Sequence, residues 1–260
     1  MGQNDTQSLM ATWLGTVIVF VGLIVFALRP FLPHEVLLTV GAVLIANACF
    51  LIARTQHLGI ATSGLAGGML LYAALPIQLF VWPAYFVVPI ILAGLVTGLR
   101  TGRASFLSGG TMGSLGSREW PYVAIIAIVA GLALVAWVWF LNPDLNRLRA
   151  MLPEWPVLGL IAAGVTFSLV NAILEEFIWR GIFLRWFMTF MPTAFAVFVQ
   201  ALSFGAAHYL GFPSGFVGVG LAAIYGLMLG MLAVRANGIL AAIVAHIAAD
   251  AVIFTILAIA

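Results

Sequence analysis

Long apolar runs separated by short polar breaks set the plan of this chain. A hydrocarbon core of about 30 Å takes roughly 20 helical residues at ~1.5 Å each. By that measure residues 11–28 form a first span, stopped by Arg29-Pro30, and residues 35–53 a second, stopped by Arg54. Residues 60–99 are apolar but too long for one span, and Pro76, Pro83 and Pro89 interrupt them. They fit two helices with a tight turn between Pro76 and Pro83, or one span plus a re-entrant piece. A polar connection over 100–120 precedes a helix over 121–141, and a second polar loop runs over 142–156. A long helix from 157 to about 190 ends at Met191-Pro192, and a helix over 193–209 follows. After Gly211-Phe-Pro213-Ser-Gly215 the pattern predicts a helix to about 234, then the break Arg235-Ala-Asn-Gly238 and a last helix over 238–258. The fold class is all-α, a polytopic integral membrane protein of 8–9 transmembrane helices.

Composition strengthens that assignment. Of 260 residues, 64% are hydrophobic and 7% charged, against roughly 25% charged in soluble domains. All ten basic residues are arginine, and a net charge of +2 scattered over loops excludes a nucleic-acid partner. Placing Arg100, Arg103, Arg118, Arg185 and Arg235 on one side and Arg147 and Arg149 on the other gives a bias that makes the first side cytoplasmic. Residues 11–28 are a retained span, since the polar N-terminus lacks the basic segment of a cleaved signal. Cys49 stands alone in an apolar run and reads as a small buried hydrophobe. The Gly- and Ala-rich run 215–230 suits close helix–helix approach in lipid.

The informative residues are the ionisable ones inside apolar helices. A charge at the bilayer centre costs at least ~2.5–3.5 kcal/mol, so such a residue marks a functional site by default. Three acids lie deep in spans, Glu175, Glu176 and Asp250, together with two histidines, His208 and His246. His34 and His57 fall in connections and read as solvated. Glu176 and Arg180 are four apart, share a helix face and can pair; Glu175 points about 100° away. His246 and Asp250 repeat the spacing, as do Phe204 and His208, which sets an aromatic ring beside an imidazole. Counting from a turn near 191, Glu175 lies about 24 Å down one helix and His208 about 25 Å down the next, whereas His246 falls about 10 Å off their level unless the intervening turns dip into the membrane. Glu176–Arg180 alone would be a structural ion pair. The clustering of carboxyl and imidazole groups on three helices is what general acid–base hydrolysis requires. The polar stretch 100–120 therefore divides the chain into 1–120, transmembrane helices without catalytic motifs, and 121–260, which carries all of the chemistry.

Glu175-Glu176-x-x-x-Arg180, Phe204-x-x-x-His208 and His246-x-x-x-Asp250, in that order, resemble the motifs of the CAAX-protease and bacteriocin-processing (CPBP) family, which includes type II CAAX prenyl proteases and lysostaphin-resistance-protein-A-like proteins. The resemblance covers 157–258 and makes 121–260 a CPBP-like intramembrane protease core. It implies that Glu175 is the general base activating water with His208, that His246 and Asp250 stabilise the oxyanion, and that Glu176, Arg180 and Phe204 support the site. Many family members have Asn where this chain has Asp250, so that carboxyl must be protonated or must instead orient His246. Should the enzyme depend on metal, Glu175, His208, His246 and Asp250 would be the ligands, as two histidines with carboxylates suit zinc. No His-Glu-x-x-His signature is present, and the metal-free, cofactor-free reading is preferred.

The resulting expectation is a glutamate-type intramembrane endopeptidase of a bacterial or archaeal cell membrane. It would cut a membrane-associated peptide or protein in or near the lipid bilayer, with processing of a peptide or C-terminal signal preferred to a prenylated tail. Two alternatives are a catalytically silent member acting as scaffold or immunity protein, and a zinc-dependent variant. A proton-relaying transporter fits less well, because transporters commonly show internal repeats and the charged cluster here has no echo in the first half.

Overall fold

In a computed structural model, the described residues are 28–52 and 112–259, with 13–15, 17, 18, 21, 22, 24–26, 66, 67 and 70. Part of the expected span over 11–28, nearly all of 60–99, and 100–111 lie outside them. The chain forms two compact units, 1–109 with 185–190, and 110–184 with 191–260.

In the first unit, a short 3-10 turn at Arg29–Phe31 leads into α1, His34–Ile52. The Arg29 guanidinium lies 4.2 Å from the Phe26 ring centroid and donates to the Phe26 carbonyl at 3.0 Å. Asn47 Nδ2 donates to the Gly15 carbonyl at 3.3 Å, a polar tie between two apolar helical stretches. His34 starts α1 and is exposed.

The second unit carries the chemistry. Its helices are α2 (Trp120–Leu141), α3 (Asn146–Arg149) and α4 (Val157–Glu176), followed by a π-helical segment, Phe177–Leu184. A short α5 (Arg185–Phe187) belongs to the first unit; α6 (Thr193–Ala207), α7 (Gly215–Arg235) and α8 (Leu240–Ile259) complete the second. Among the described residues, every regular element is helical. Four stretches are long and apolar enough to cross a membrane: Trp120–Leu141, Val157–Phe187, Gly215–Arg235 and Leu240–Ile259. The protein is thus an α-helical membrane protein.

Helix ends follow local chemistry. Pro156 and Pro192 precede α4 and α6, where a missing N–H costs nothing because the first N–H groups of a helix have no intrahelical partner. Asn142 ends α2 in the left-handed region at φ 41°, a conformation Asn tolerates better than most residues. The break between α7 and α8 is covered by extended chain: Ser114 N–H donates to the Ala236 carbonyl and Leu240 N–H to the Met112 carbonyl, both at 2.9 Å. Arg235 lies 4.3 Å from the Tyr122 ring centroid at the same end of the unit.

The helices pack mainly as α6 on α7 and α8 on α4 and α2. Small residues allow the first contact. A Cβ at Gly205 would stand 2.5 Å from the Val219 carbonyl oxygen, so α6 and α7 touch backbone to backbone there. Along α7, Gly218, Ala222, Gly226, Gly230 and Ala233 are all buried. On the other side of the unit, Trp137 of α2 meets Phe212 edge to face at 5.0 Å, beside Leu134, Ala249 and Ile256.

Two features depart from the sequence reading. The expected single helix from 157 to about 190 changes winding after Glu176, with eight residues in i→i+5 spacing. Seven of those eight, Ile178 to Leu184, are buried, so tertiary contacts on every side override the α phase; such widened turns recur at functional sites. The helix expected over 193–209 ends at Ala207. At ~1.5 Å per residue its 15 residues reach about 22 Å, short of a bilayer core. The following turn satisfies its own backbone, with Gly211 N–H on the His208 carbonyl and Gly215 N–H on the Tyr209 carbonyl.

Candidate active site

The end of α6 sets His208. As the residue that caps the helix, its backbone N–H donates to the Gly205 carbonyl at 2.9 Å. Its Nδ1 lies 2.8 Å from the Phe204 carbonyl. A carbonyl can only accept, so Nδ1 carries the proton in the neutral ring and Nε2 is left facing the interior. There Nε2 stands 3.7 Å from Glu175 Oε2.

Glu175 and Glu176 end α4, and although adjacent in sequence both are buried, at 1% and 0% exposure. Their carboxyl groups meet the same imidazole from two sides. Glu176 Oε1 lies 2.7 Å from His246 Nδ1, and Glu175 Oε2 lies 3.7 Å from His246 Nε2. The depth mismatch counted for His246 is therefore closed. Part of the reason is the π segment, whose wider turns advance less per residue than the assumed α rise. The α7–α8 turn also bonds its backbone to Met112 and Ser114.

Glu176 is the hub of the arrangement. Its Oε1 also receives Arg180 Nη1 at 2.6 Å, so one oxygen accepts two charge-assisted hydrogen bonds. Arg180 reaches on to the Gly226 carbonyl of α7 at 3.2 Å, and its guanidinium carbon lies 4.5 Å from the Phe204 ring centroid. The missing side chain at Gly226 allows that approach: a Cβ there would stand 3.0 Å from the Phe204 ring. Phe204 in turn packs on His208 at 4.3 Å and on Trp179 at 5.7 Å. The aromatic position read from its spacing to His208 thus contacts the arginine and the imidazole together.

Asp250 lies one turn beyond His246 on α8 and is 2% exposed. Its Oδ1 is 3.7 Å from His246 Nε2, and its Oδ2 accepts from Asn171 Nδ2 at 3.1 Å. Tyr225 of α7 closes the other side of the imidazole, edge to face at 5.5 Å, with its hydroxyl donating to the Ala245 carbonyl at 3.3 Å.

All seven residues singled out from the sequence, Glu175, Glu176, Arg180, Phe204, His208, His246 and Asp250, lie in one linked cluster. Asn171 and Tyr225 join it without having been singled out. Asn171 had one usable signal, its position four residues before Glu175; Tyr225 had none, because a tyrosine in a Gly-rich apolar helix resembles any packing aromatic.

The cluster holds three carboxyl groups and one permanent cation, Arg180. Isolated buried charges are prohibitive, so it can be dry only when protons on the histidines or carboxyls offset the excess. Such a proton-sharing set of groups is suited to moving a proton to and from a reacting molecule. Among the described residues, no three His, Cys, Asp or Glu side chains are grouped so as to hold a metal ion.

Residues 155–252 match the family model described as type II CAAX prenyl endopeptidase Rce1-like. Among curated proteins and among solved structures, none matches the chain. The matched segment contains every side chain of the cluster, and the family it resembles is described as an endopeptidase. Over residues 155–252 the chain is thus similar to the Rce1-like type II CAAX prenyl endopeptidases, a likeness that supports membership of the CPBP family.

Proposed function

We propose that the protein is a glutamate-type intramembrane endopeptidase that cuts a membrane-associated peptide or protein with an activated water molecule. The observation that carries this reading is the meeting of Glu175 Oε2 with His208 Nε2 and His246 Nε2, each at 3.7 Å. That separation is too long for a direct hydrogen bond, which spans about 2.7–3.2 Å. A water oxygen about 2.8 Å from each of two atoms so spaced would bond to the carboxylate and an imidazole together.

Glu175 takes the proton of that water, His208 Nε2 orients it, and the new oxygen adds to the scissile carbonyl carbon. The carbonyl oxygen becomes an oxyanion, which His246 Nε2–H and a protonated Asp250 receive. His246 can donate from Nε2 when its ring is charged, because Glu176 Oε1 already accepts the proton on Nδ1. As the C–N bond breaks, Glu175 returns the proton to the leaving amine. Arg180 neutralises Glu176 and keeps its Oε1 aimed at His246. Donors held in a site closed to water stabilise such an oxyanion far more than they would in solution. The core spans 121–260 within a chain of 8–9 transmembrane helices, the helices of 1–120 lying outside the chemistry. The substrate is a peptide or C-terminal signal that reaches the site from the bilayer, in a bacterial or archaeal cell membrane.

The test is cleavage of membrane-anchored peptides by the purified full chain in lipid vesicles, with products read by mass spectrometry. Glu175→Ala, His208→Ala and His246→Ala lose cleavage, and a chelator leaves the unsubstituted protein active. Cleavage by Glu175→Ala would remove the assigned base. Loss with chelator and recovery with zinc would replace this mechanism by a metal-dependent one.

A further inference from the structure

We propose that Asn171 is a positioning residue that decides which oxygen of Asp250 faces the reacting group. This inference rests on the endopeptidase reading and adds to it a residue outside the set that performs the chemistry. Asn171 sits on α4 one turn before Glu175, and its Nδ2 donates to Asp250 Oδ2 across the α4–α8 interface at 3.1 Å. The other oxygen, Oδ1, is turned toward His246 Nε2 at 3.7 Å. The two oxygens therefore have different partners, one an amide donor and the other the catalytic imidazole.

That asymmetry has a chemical consequence. A protonated carboxyl has one hydroxyl oxygen and one carbonyl oxygen, and the carbonyl oxygen is the better acceptor. The amide N–H of Asn171 holds Oδ2 as the acceptor, which leaves the acid proton on Oδ1. Oδ1–H and His246 Nε2–H then form a pair of donors 3.7 Å apart. Two donors at that spacing can converge on a single oxyanion. The helix that supplies the base through Glu175 thus also sets the polarity of the oxyanion site through Asn171, so base and acid share one rigid element.

The direction of the Asn171–Asp250 hydrogen bond, rather than its presence, is what the proposal asserts, and two isosteric changes separate them. In Asp250→Asn, Asn171 still donates, the new amide accepts through its carbonyl, and its NH2 faces the site. In Asn171→Asp/Asp250→Asn the same bond is remade in reverse, and the amide carbonyl faces the site. The measurements are kcat and KM for cleavage of a membrane-anchored peptide, and the unfolding temperature, for both variants. Asp250→Asn turns over at a kcat reduced less than about tenfold. The swapped pair falls about 100-fold further, the loss of a single oxyanion donor, with KM and unfolding temperature matching those of Asp250→Asn. A swapped pair as fast as Asp250→Asn would overturn the proposal and reduce Asn171 to a tie between two helices. So would an Asp250→Asn variant as inactive as Glu175→Ala. Either result leaves the endopeptidase reading standing, whereas a Glu175→Ala variant as active as the unsubstituted protein removes both.

Discussion

Replacing Arg180 by methionine tests the hub of the site. The guanidinium makes three contacts at once, to Glu176 Oε1 at 2.6 Å, to the Gly226 carbonyl at 3.2 Å and to the face of Phe204 at 4.5 Å. Arg180 is 1% exposed and Glu176 0%, so water cannot replace what methionine removes. Taking one partner from a buried ion pair costs about 3–5 kcal/mol, because the other charge is left uncompensated. His246 stays on Glu176 Oε1 and offsets part of that charge, which places the expected loss near ~3 kcal/mol, about two decades in the folded ratio. Removing both charges in Glu176→Gln/Arg180→Met leaves no orphaned ion, and stability returns to within ~1–2 kcal/mol of the starting protein. Reversible unfolding in mixed micelles of rising dodecyl sulfate content measures both. A single variant within about 1 kcal/mol of the unsubstituted protein, or a double variant no more stable than the single one, would refute the reasoning.

Three further outcomes are expected. His208 Nδ1 bonds to the Phe204 carbonyl, and its side chain is 13% exposed; His208→Ala lowers kcat by about 10²–10⁴ while its thermal melt followed by circular dichroism stays close to that of the parent. Gly205→Val places a Cβ 2.5 Å from the Val219 carbonyl oxygen and 2.7 Å from the Ala223 side chain; it parts α6 from α7, costs at least ~1–3 kcal/mol and lowers cleavage with it, since α6 carries His208. Gln200 is 0% exposed and neither its amide nitrogen nor its oxygen has a hydrogen-bond partner among the described residues. Gln200→Met removes that burden and raises stability by ~1–3 kcal/mol in the same unfolding assay.

What the sequence revealed, and what it hid, follows from the kind of signal each feature leaves. Proline and asparagine at helix ends, with apolar runs between them, marked the bounds of α2 and α8 and the start of α4 to within two residues, because breaks in backbone hydrogen bonding are written locally. Spacings of four marked Glu176 with Arg180 and His246 with Asp250, because one helix turn brings such pairs together. The π segment left no signal. Residues 177–184 hold Arg180 and Gly181 among six apolar residues, with seven of the eight buried, and eight residues are too few to tell the phase of π winding from that of α. That loss of phase also hid the fact that Glu175 and Glu176 approach one imidazole from two sides. The bond from Asn171 to Asp250 joins residues 79 apart on different helices, and no local pattern connects them. The sequence assigned Glu176 to Arg180 alone, whereas the same oxygen also holds His246.

The central claim is that Glu175, and not its neighbour, accepts the proton of the attacking water. Glu175→Gln keeps the shape of the side chain and removes its ability to take that proton. Single-turnover cleavage of a membrane-anchored peptide by this variant, with peptide binding measured alongside, isolates the step. The account predicts a rate lower by about 10²–10⁴ with binding unchanged. A Glu175→Gln protein that cleaves at the rate of the parent would contradict it.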